Sequence, residues 1–466
     1  MIRHYPNQGV SLMDFFFNPR GIALLGATAD QKKGGFSILK NLMTGFEGDI
    51  YPVNPRYSEI NGIPCFASIA QVPDPLDMAI VFVPAPAAPE VVQACADRGV
   101  PGVIMQCAGF AETGKKGKLL QDQLAEISHK TGIRIWGPNC MGLVDAVHKK
   151  VFSFVSPSIW DEGLLPGSVS LIVQSGMLSA GFLMDMMTRD KMGVSKVCSI
   201  GNKVDVNECD ILEYLLEDPQ TAVIGLYLES IAEGRRFFEI CKNAKKPVVV
   251  LQGGKSDNGA RAAMSHTASM AGNSAIIKGA LTQAGVVQAD DFKQMMDFSL
   301  ALSLFPNTPK HRPGRIAIAT FSGGAGIVSS DFLERHGLTL ADLSEDTHAL
   351  LKDVFPEWMP ASNPVDLWPA IERIGVDKAY GQTLEAVCAD PGVDAVFLHA
   401  FVGGLVRRLK LQPVVETARK AGKPLFIWLI GKEKDAQDFQ EEARNLNVPV
   451  FRELSRAVEC MAAVLS

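Results

Sequence analysis

One histidine stands where a nucleophile can work. In Ser265-His266-Thr267-Ala268-Ser269-Met270-Ala271-Gly272 a single imidazole sits among small residues, which suit a loop that must move or pack closely in more than one place. A neutral imidazole attacks with the lone pair of one ring nitrogen, provided that the other nitrogen carries the proton. The unit around this segment occurs again farther along the chain without the histidine. A surface-loop histidine with no role is the other reading, and the asymmetry between the copies argues instead for His266 as a nucleophile. A second candidate is Ser175-Gly176-Met177, which follows an apolar run and opens a helical stretch, so that its backbone N–H groups can hold phosphate oxygens. The repeat carries Ser322-Gly323-Gly324 at the same place, so such a turn can also be purely structural.

A third candidate lies near the N-terminus, where Gly26-Ala27-Thr28 ends a strand-like run and precedes a helical one. The full Gly-x-Gly-x-x-Gly fingerprint is absent. Asn54-Pro55-Arg56 stands where an NAD-binding chain keeps an acidic residue for the ribose diol. A ribose bearing a phosphate, as in coenzyme A or NADP, therefore fits Arg56 better than a bare diol; a strand-end arginine paired with a surface carboxylate is the alternative. Two apparent phosphate loops lack the required pattern. Lys116 follows Gly114-Lys115 where Ser or Thr should hold magnesium, and Gly254-Lys255-Ser256 lacks the earlier glycine.

These segments are positioned by a repeated architecture. Val169 to Met177 is answered by Ile316 to Gly324, Asn202-Lys203-Val204-Asp205 by Asn363-Pro364-Val365-Asp366, and Lys246-Pro247 to Lys255 by Lys423-Pro424 to Lys432. After the shared lysine the first copy is longer by about fifteen residues, and the added stretch includes the histidine segment. Ahead of both copies, short apolar runs at 21–26, 49–53, 78–83, 103–106 and 134–136 alternate with helical patterns at 88–98 and 117–131, as right-handed βαβ crossovers require. The expectation is an α/β protein of doubly wound parallel sheets, divided into 10–150, 166–305 and 314–466. The Pro-rich stretch 151–166 reads as a linker.

With 466 residues, 47% of them apolar, the chain can bury several cores. A net charge of −6 repels nucleic acid and anionic membranes, so small molecules are the expected ligands. No apolar run approaches bilayer length and Met1 to Gln8 is polar, which makes a cytoplasmic protein the expectation. The nine cysteines form no Cys-x-x-Cys pair and are expected to stay reduced, with no metal site.

Several ordered motifs together carry a resemblance. Gly26-Ala27-Thr28, Tyr51-Pro52-Val53-Asn54-Pro55, Val83-Pro84-Ala85, Ala108-Gly109-Phe110-Ala111-Glu112 and Gly137-Pro138-Asn139-Cys140-Met141-Gly142 resemble the coenzyme A-binding domain of NDP-forming acyl-CoA synthetases. Gln174-Ser175-Gly176, Gly201-Asn202-Lys203 with Asp205, Glu229 and Ser265-His266-Thr267 look like that family's succinyl-CoA-ligase-type domains, so the likeness spans nearly the whole chain. The alpha subunit of ADP-forming acetate–CoA ligase, related to the succinyl-CoA synthetase alpha subunit, is the type it is most similar to. The resemblance implies a Rossmann-like coenzyme A-binding domain followed by two flavodoxin-like domains. It implies acyl-CoA and phosphate giving an acyl phosphate, phosphoryl transfer to His266, and delivery to ADP. Glu229 would orient the imidazole, and Ser175, Gly176 and Met177 would hold phosphate. Gly26, Ala27, Thr28, Asn54, Arg56, Val83, Pro84, Ala108, Gly109, Phe110, Asn139 and Cys140 would line the coenzyme A site.

The family's nucleotide-binding ATP-grasp domain has no place in this sequence, so ATP or ADP with Mg²⁺ is expected on a separate beta subunit in a hetero-oligomer. Phe110, Met141 and Met177 are expected to shape the acyl end, between the first and second units. One departure stands out: Ala268 occupies the place of the family's glycine in Ser-His-Thr-Gly, which removes easy access to positive φ. One rival reading has Ala268 as its mark, a coenzyme A-binding regulatory or scaffold protein without turnover; another is an ATP-independent acyl or carbamoyl transferase on the same fold.

Overall fold

Three sheets with parallel cores carry the chain, and each core repeats one strand order. A computed structural model describes residues 13–186, 188, 192–267, 273–306, 308, 313–359, 361–404 and 408–466, the side chains of 264–267 excepted. In the first sheet, β1 (Gly21–Leu25), β2 (Asp49–Val53), β3 (Met78–Val81), β4 (Gly102–Met105) and β5 (Arg134–Trp136) lie in the order β2-β1-β3-β4-β5. Helices α1 (Gly34–Gly45), α2 (Ala88–Asp97) and α3 (Lys115–Thr131) connect them. Every residue of β1, β3 and β4 is buried, because helices cover both faces of such a sheet and leave no polar side to alternate with.

The second sheet begins earlier than the sequence suggests. Strands β6 (Gly142–Asp145) and β7 (Lys150–Phe152) form an antiparallel hairpin, and β6 pairs with β9 (Val194–Ser199). With β8 (Pro166–Val173), β10 (Val223–Leu228), β11 (Val248–Gln252) and β12 (Val287–Ala289), the order is β12-β11-β10-β8-β9-β6-β7. The stretch 151–166 is therefore no simple linker. Val151 and Phe152 are fully buried, and Trp160 on the short helix Ile159–Glu162 donates to Asn41 Oδ1 at 3.0 Å. Three strand residues are too few to show a period in sequence.

The chain up to Met295 forms one compact unit and Met296–Ser466 another. In the latter, β13 (Arg315–Thr320), β14 (Thr339–Leu340), β15 (Val365–Asp366), β16 (Ala395–Val402), β17 (Leu425–Gly431) and β18 (Val450–Phe451) run β14-β13-β16-β17-β18, with β15 against β13. Ignoring the edge additions, all three sheets place the second parallel strand, the first, then the third, fourth and fifth. This order reverses direction between first and third strands, and the crevice beyond their carboxyl ends is where such sheets take ligands.

Candidate functional site

A cleft of about 1400 Å³ opens at these carboxyl ends in the unit that ends at Met295. The turn after β1 contributes Gly26 and Thr28; the turn after β2, Asn54 and Arg56; that after β3, Val83 and Pro84. Ala108 beyond β4 and Asn139 with Cys140 beyond β5 complete this side. Gly26 has φ of 95°, and a Cβ there would meet the Phe82 carbonyl oxygen at 2.1 Å, so only glycine allows the turn. Asn54 Nδ2 donates to the Ala27 carbonyl at 2.7 Å, joining the two turns. Thr28 Oγ1 lies 3.2 Å from the Tyr57 hydroxyl, and Tyr57 also lines the cleft.

Positive charge converges here. Lys33 and Arg56 both line the cleft, beside the first residues of α1, Gly34 and Gly35. Arg56 forms no ion pair among the described residues, so the surface-carboxylate alternative is not what the structure contains. A helix start with free N–H groups and two cations, Arg56 and the Lys33 that lies 3.8 Å from Asp30, is suited to phosphates.

The second sheet supplies the other wall. Gln174 and Ser175 follow β8, and helix α4 (Gly176–Asp185) begins with Gly176 and Met177; all four line the cleft, as do Gly201 and Asn202 after β9. The Ser175 hydroxyl makes no capping bond to its own helix. Glu229, after β10, completes the arrangement. It is 7% exposed, its Oε1 lies 3.4 Å from the Tyr227 hydroxyl, and its Oε2 is buried with no hydrogen-bond partner among the described residues. Burial and the neighbouring carboxylate push the Tyr227 hydroxyl up to about 12, so it stays protonated and donates to Glu229.

Asn202 ties the walls together. Its Nδ2 donates to Glu112 Oε2 at 2.6 Å and Gln121 Oε1 at 2.9 Å, while its Oδ1 accepts from Asn139 at 3.3 Å. Glu112 Oε1 in turn accepts from the backbone N–H of Gly109 at 2.6 Å and of Phe110 at 3.0 Å. Burial alone would raise this carboxyl; the bonds from Asn202, Gly109 and Phe110 outweigh it and hold it below the ordinary carboxylate range.

Not every expected residue reaches the cleft. Ala27, Gly109 and Phe110 stand behind its lining, and Phe110 is fully buried in the core under α3. Met141 is 2% exposed, with its N–H on Ser199 Oγ, so of the three residues expected at the acyl end only Met177 is exposed to a ligand. Phe82 and Phe154, with Tyr57, are the aromatic rings that line the cleft instead. Cys140 does line it, but burial pushes its thiol up to about 12, which leaves no nucleophilic thiolate. Sequence reasoning passed over Lys33, Tyr57 and Phe154, of which only Lys33, beside two glycines opening a helix, left a readable sign, and it met Glu112 only as the end of a motif.

His266 falls in helix α5 (Asp257–Thr267), not in a loop, because Ala260-Arg261-Ala262-Ala263-Met264 is a run of strong helix formers. The helix runs beside the turn Ala111–Thr113. The His266 side chain and Ala268 lie outside the described residues. Among the described residues, no cluster of three or more His, Cys, Asp or Glu can hold a metal, and no helix is long and apolar enough to cross a membrane.

Comparison with known proteins gives this arrangement a class. Residues 20–146 match the CoA-binding domain family, and residues 166–302 the succinyl-CoA ligase like flavodoxin domain. The chain is 38% identical over 422 residues to the alpha subunit of ADP-forming acetate–CoA ligase II of Pyrococcus furiosus, covering 89% of each chain. It is 35% identical over 464 residues to the alpha subunit of that organism's ADP-forming acetate–CoA ligase I, covering 97% of each. Against the longer ADP-forming acetate–CoA ligase II of Archaeoglobus fulgidus it is 37% identical, covering 97% of this chain and 66% of the relative. The acetyl-coenzyme A synthetase 1 of Candidatus Korarchaeum cryptofilum, solved with phosphate and ADP, superposes with a TM-score of 0.87 at 31% identity, covering 97% of this chain and 96% of that one. The chain belongs to the NDP-forming acyl-CoA synthetase family, on the side of its alpha subunits.

Proposed function

We propose that this chain is the alpha subunit of an ADP-forming acyl-CoA synthetase, a cytoplasmic hetero-oligomer in which an ATP-grasp beta subunit holds nucleotide and Mg²⁺. The N–H groups that open α1, with Lys33 and Arg56, bind the phosphates of coenzyme A, and the thioester end extends toward Asn139, Cys140 and Ser175. Inorganic phosphate, held by the N–H groups at the start of α4, attacks the acyl carbonyl; the C–S bond breaks and coenzyme A leaves as its thiol. One His266 nitrogen then attacks phosphorus, the P–O bond to the acyl group breaks, and the carboxylate departs. Glu229 Oε2 accepts a hydrogen bond from the proton-bearing nitrogen of the same ring, fixing the tautomer and stabilising the cation that forms. ADP on the beta subunit finally takes the phosphoryl group, and every step reverses.

The observation that carries this reading is the Glu229 carboxylate, buried in the cleft with one oxygen unpartnered among the described residues. A buried acceptor left unsatisfied costs about 1–3 kcal/mol, more when charged, so a donor in the working enzyme is its natural complement. The test is to mix the chain with its ATP-grasp partner, ATP and Mg²⁺ and to look for an acid-labile, base-stable phosphate. The expected result is one label on His266, lost in His266→Ala and slowed by about 100-fold or more in Glu229→Gln. Full ligase turnover by His266→Ala in the reconstituted assembly would overturn the reading.

A further inference from the structure

We propose that Gln174 is a positioning residue for phosphoryl transfer, holding Glu229 so that its free oxygen stays available to the histidine; this rests on the function proposed above. Gln174 is 3% exposed, and its Oε1 accepts two backbone donors at once, the N–H of Glu229 at 2.8 Å and that of Ser230 at 3.1 Å. Its own N–H donates to the Tyr227 carbonyl at 3.0 Å, so the residue is fastened to the end of the strand that leads into Glu229. Lys203 braces the far side of the same turn, donating to the Ser230 carbonyl at 2.7 Å while paired with Glu208 at 3.0 Å. The turn after β10 is thereby held from two directions, and Glu229 cannot rotate its backbone to find another donor.

The repeat shows that the fold does not need this clamp. Ile172 pairs with Leu226 in the second sheet, and Ala319 with Leu398 in the third, which puts Phe321 where Gln174 is and Phe401 where Glu229 is. Those two rings touch, with centroids 5.7 Å apart, and Pro364 stands in the place of Lys203. The same strand order thus closes equally well with an apolar contact. Clamp, brace and carboxylate are present together in one copy and absent together in the other, which ties Gln174 to the chemistry of Glu229 and not to the sheet.

The test uses the full chain with radiolabelled acetyl phosphate as the probe, following single-turnover formation of acid-labile phosphate. Gln174→Met keeps the shape and removes the acceptor, and should slow labelling by roughly 10- to 100-fold with an unchanged half-saturating concentration. Gln174→Glu keeps an acceptor for both N–H groups and should label within about threefold of the wild type. An unchanged far-UV circular dichroism spectrum and a cooperative denaturant transition establish that each variant is folded. In parallel, the Glu229 and Ser230 amides should exchange hydrogen faster in Gln174→Met and remain slow in Gln174→Glu. Wild-type labelling by Gln174→Met, loss of labelling in Gln174→Glu equal to that in Gln174→Met, or unchanged amide exchange in Gln174→Met would each overturn the proposal. A wild-type chain that takes no label would sink the functional reading instead, with the exchange experiment still deciding whether Gln174 holds Glu229.

Discussion

At the scale of single residues, Arg56 shows how a missing acidic residue acquires meaning. An acidic side chain after the second strand would accept from a ribose diol, whereas the exposed Arg56 guanidinium, in no ion pair among the described residues, offers its donors to an anion. Lys33 adds a second positive charge to the same wall of the cleft, so that more than one phosphate can be neutralised there. Coenzyme A carries a phosphate on its ribose that dephospho-coenzyme A lacks. The expected outcome is that the wild-type chain binds coenzyme A about tenfold more tightly than the dephospho form, about 1.4 kcal/mol. Arg56→Ala should lose most of that difference while binding dephospho-coenzyme A nearly as the wild type does. Titration calorimetry with both ligands measures this directly, and equal affinities in the wild type would assign Arg56 no part in reading the ribose.

At the scale of elements, the site is made by turns, and turns are what a sequence reveals least evenly. The doubly wound class was legible because β1, β3 and β4 are uninterrupted apolar runs between helical periods, and the recurrence of Ser-Gly after a strand pointed to a repeated unit. What escaped has local physical causes. β7 is three residues long, the helix reaching His266 is written in alanines that also suit a mobile loop, and Phe110 and Met141 are apolar whether they meet a ligand or a core. Glu112 drew attention only as part of a motif, because nothing in sequence says that a carboxylate will satisfy two backbone N–H groups and the amide of Asn202. Gly26 is the opposite case, its type being forced by geometry. Gly26→Ala must relieve both a φ of 95° and an approach of 2.1 Å to the Phe82 carbonyl, which moves β1 against β3. It should destabilise the unit that ends at Met295 by about 2 kcal/mol or more and weaken coenzyme A binding, as read from denaturant unfolding and calorimetry. Unchanged unfolding would mean that the turn relaxes without cost.

At the scale of the whole molecule, one strand order appears three times with different residues at its crevice, so a position can be followed from chemistry into core. The register that gives Tyr227 in the second sheet gives His399 in the third. There the imidazole is fully buried, with Nδ1 2.9 Å from Thr320 Oγ1, Nε2 3.1 Å from Ser329 Oγ, and the rings of Phe397 and Trp428 against it. Burial pushes its pKa down from 6.5 to about 3, so the folded state keeps the ring neutral. The sign follows from which state binds the proton. Between about pH 6.5 and pH 3 the unfolded chain takes up a proton that the folded chain refuses, so this stability is present above 6.5 and is lost as pH falls, at about 1.4 kcal/mol per pH unit. His399→Gln offers donors and acceptors but no titration. The variant should be less stable than the wild type at pH 7, and the gap should close by about 2 kcal/mol by pH 5. Denaturant midpoints for the Met296–Ser466 transition, measured across that range, check it: parallel curves for the two proteins would mean that the ring accepts its proton inside the fold, and that the third crevice is less sealed than its hydrogen bonds require.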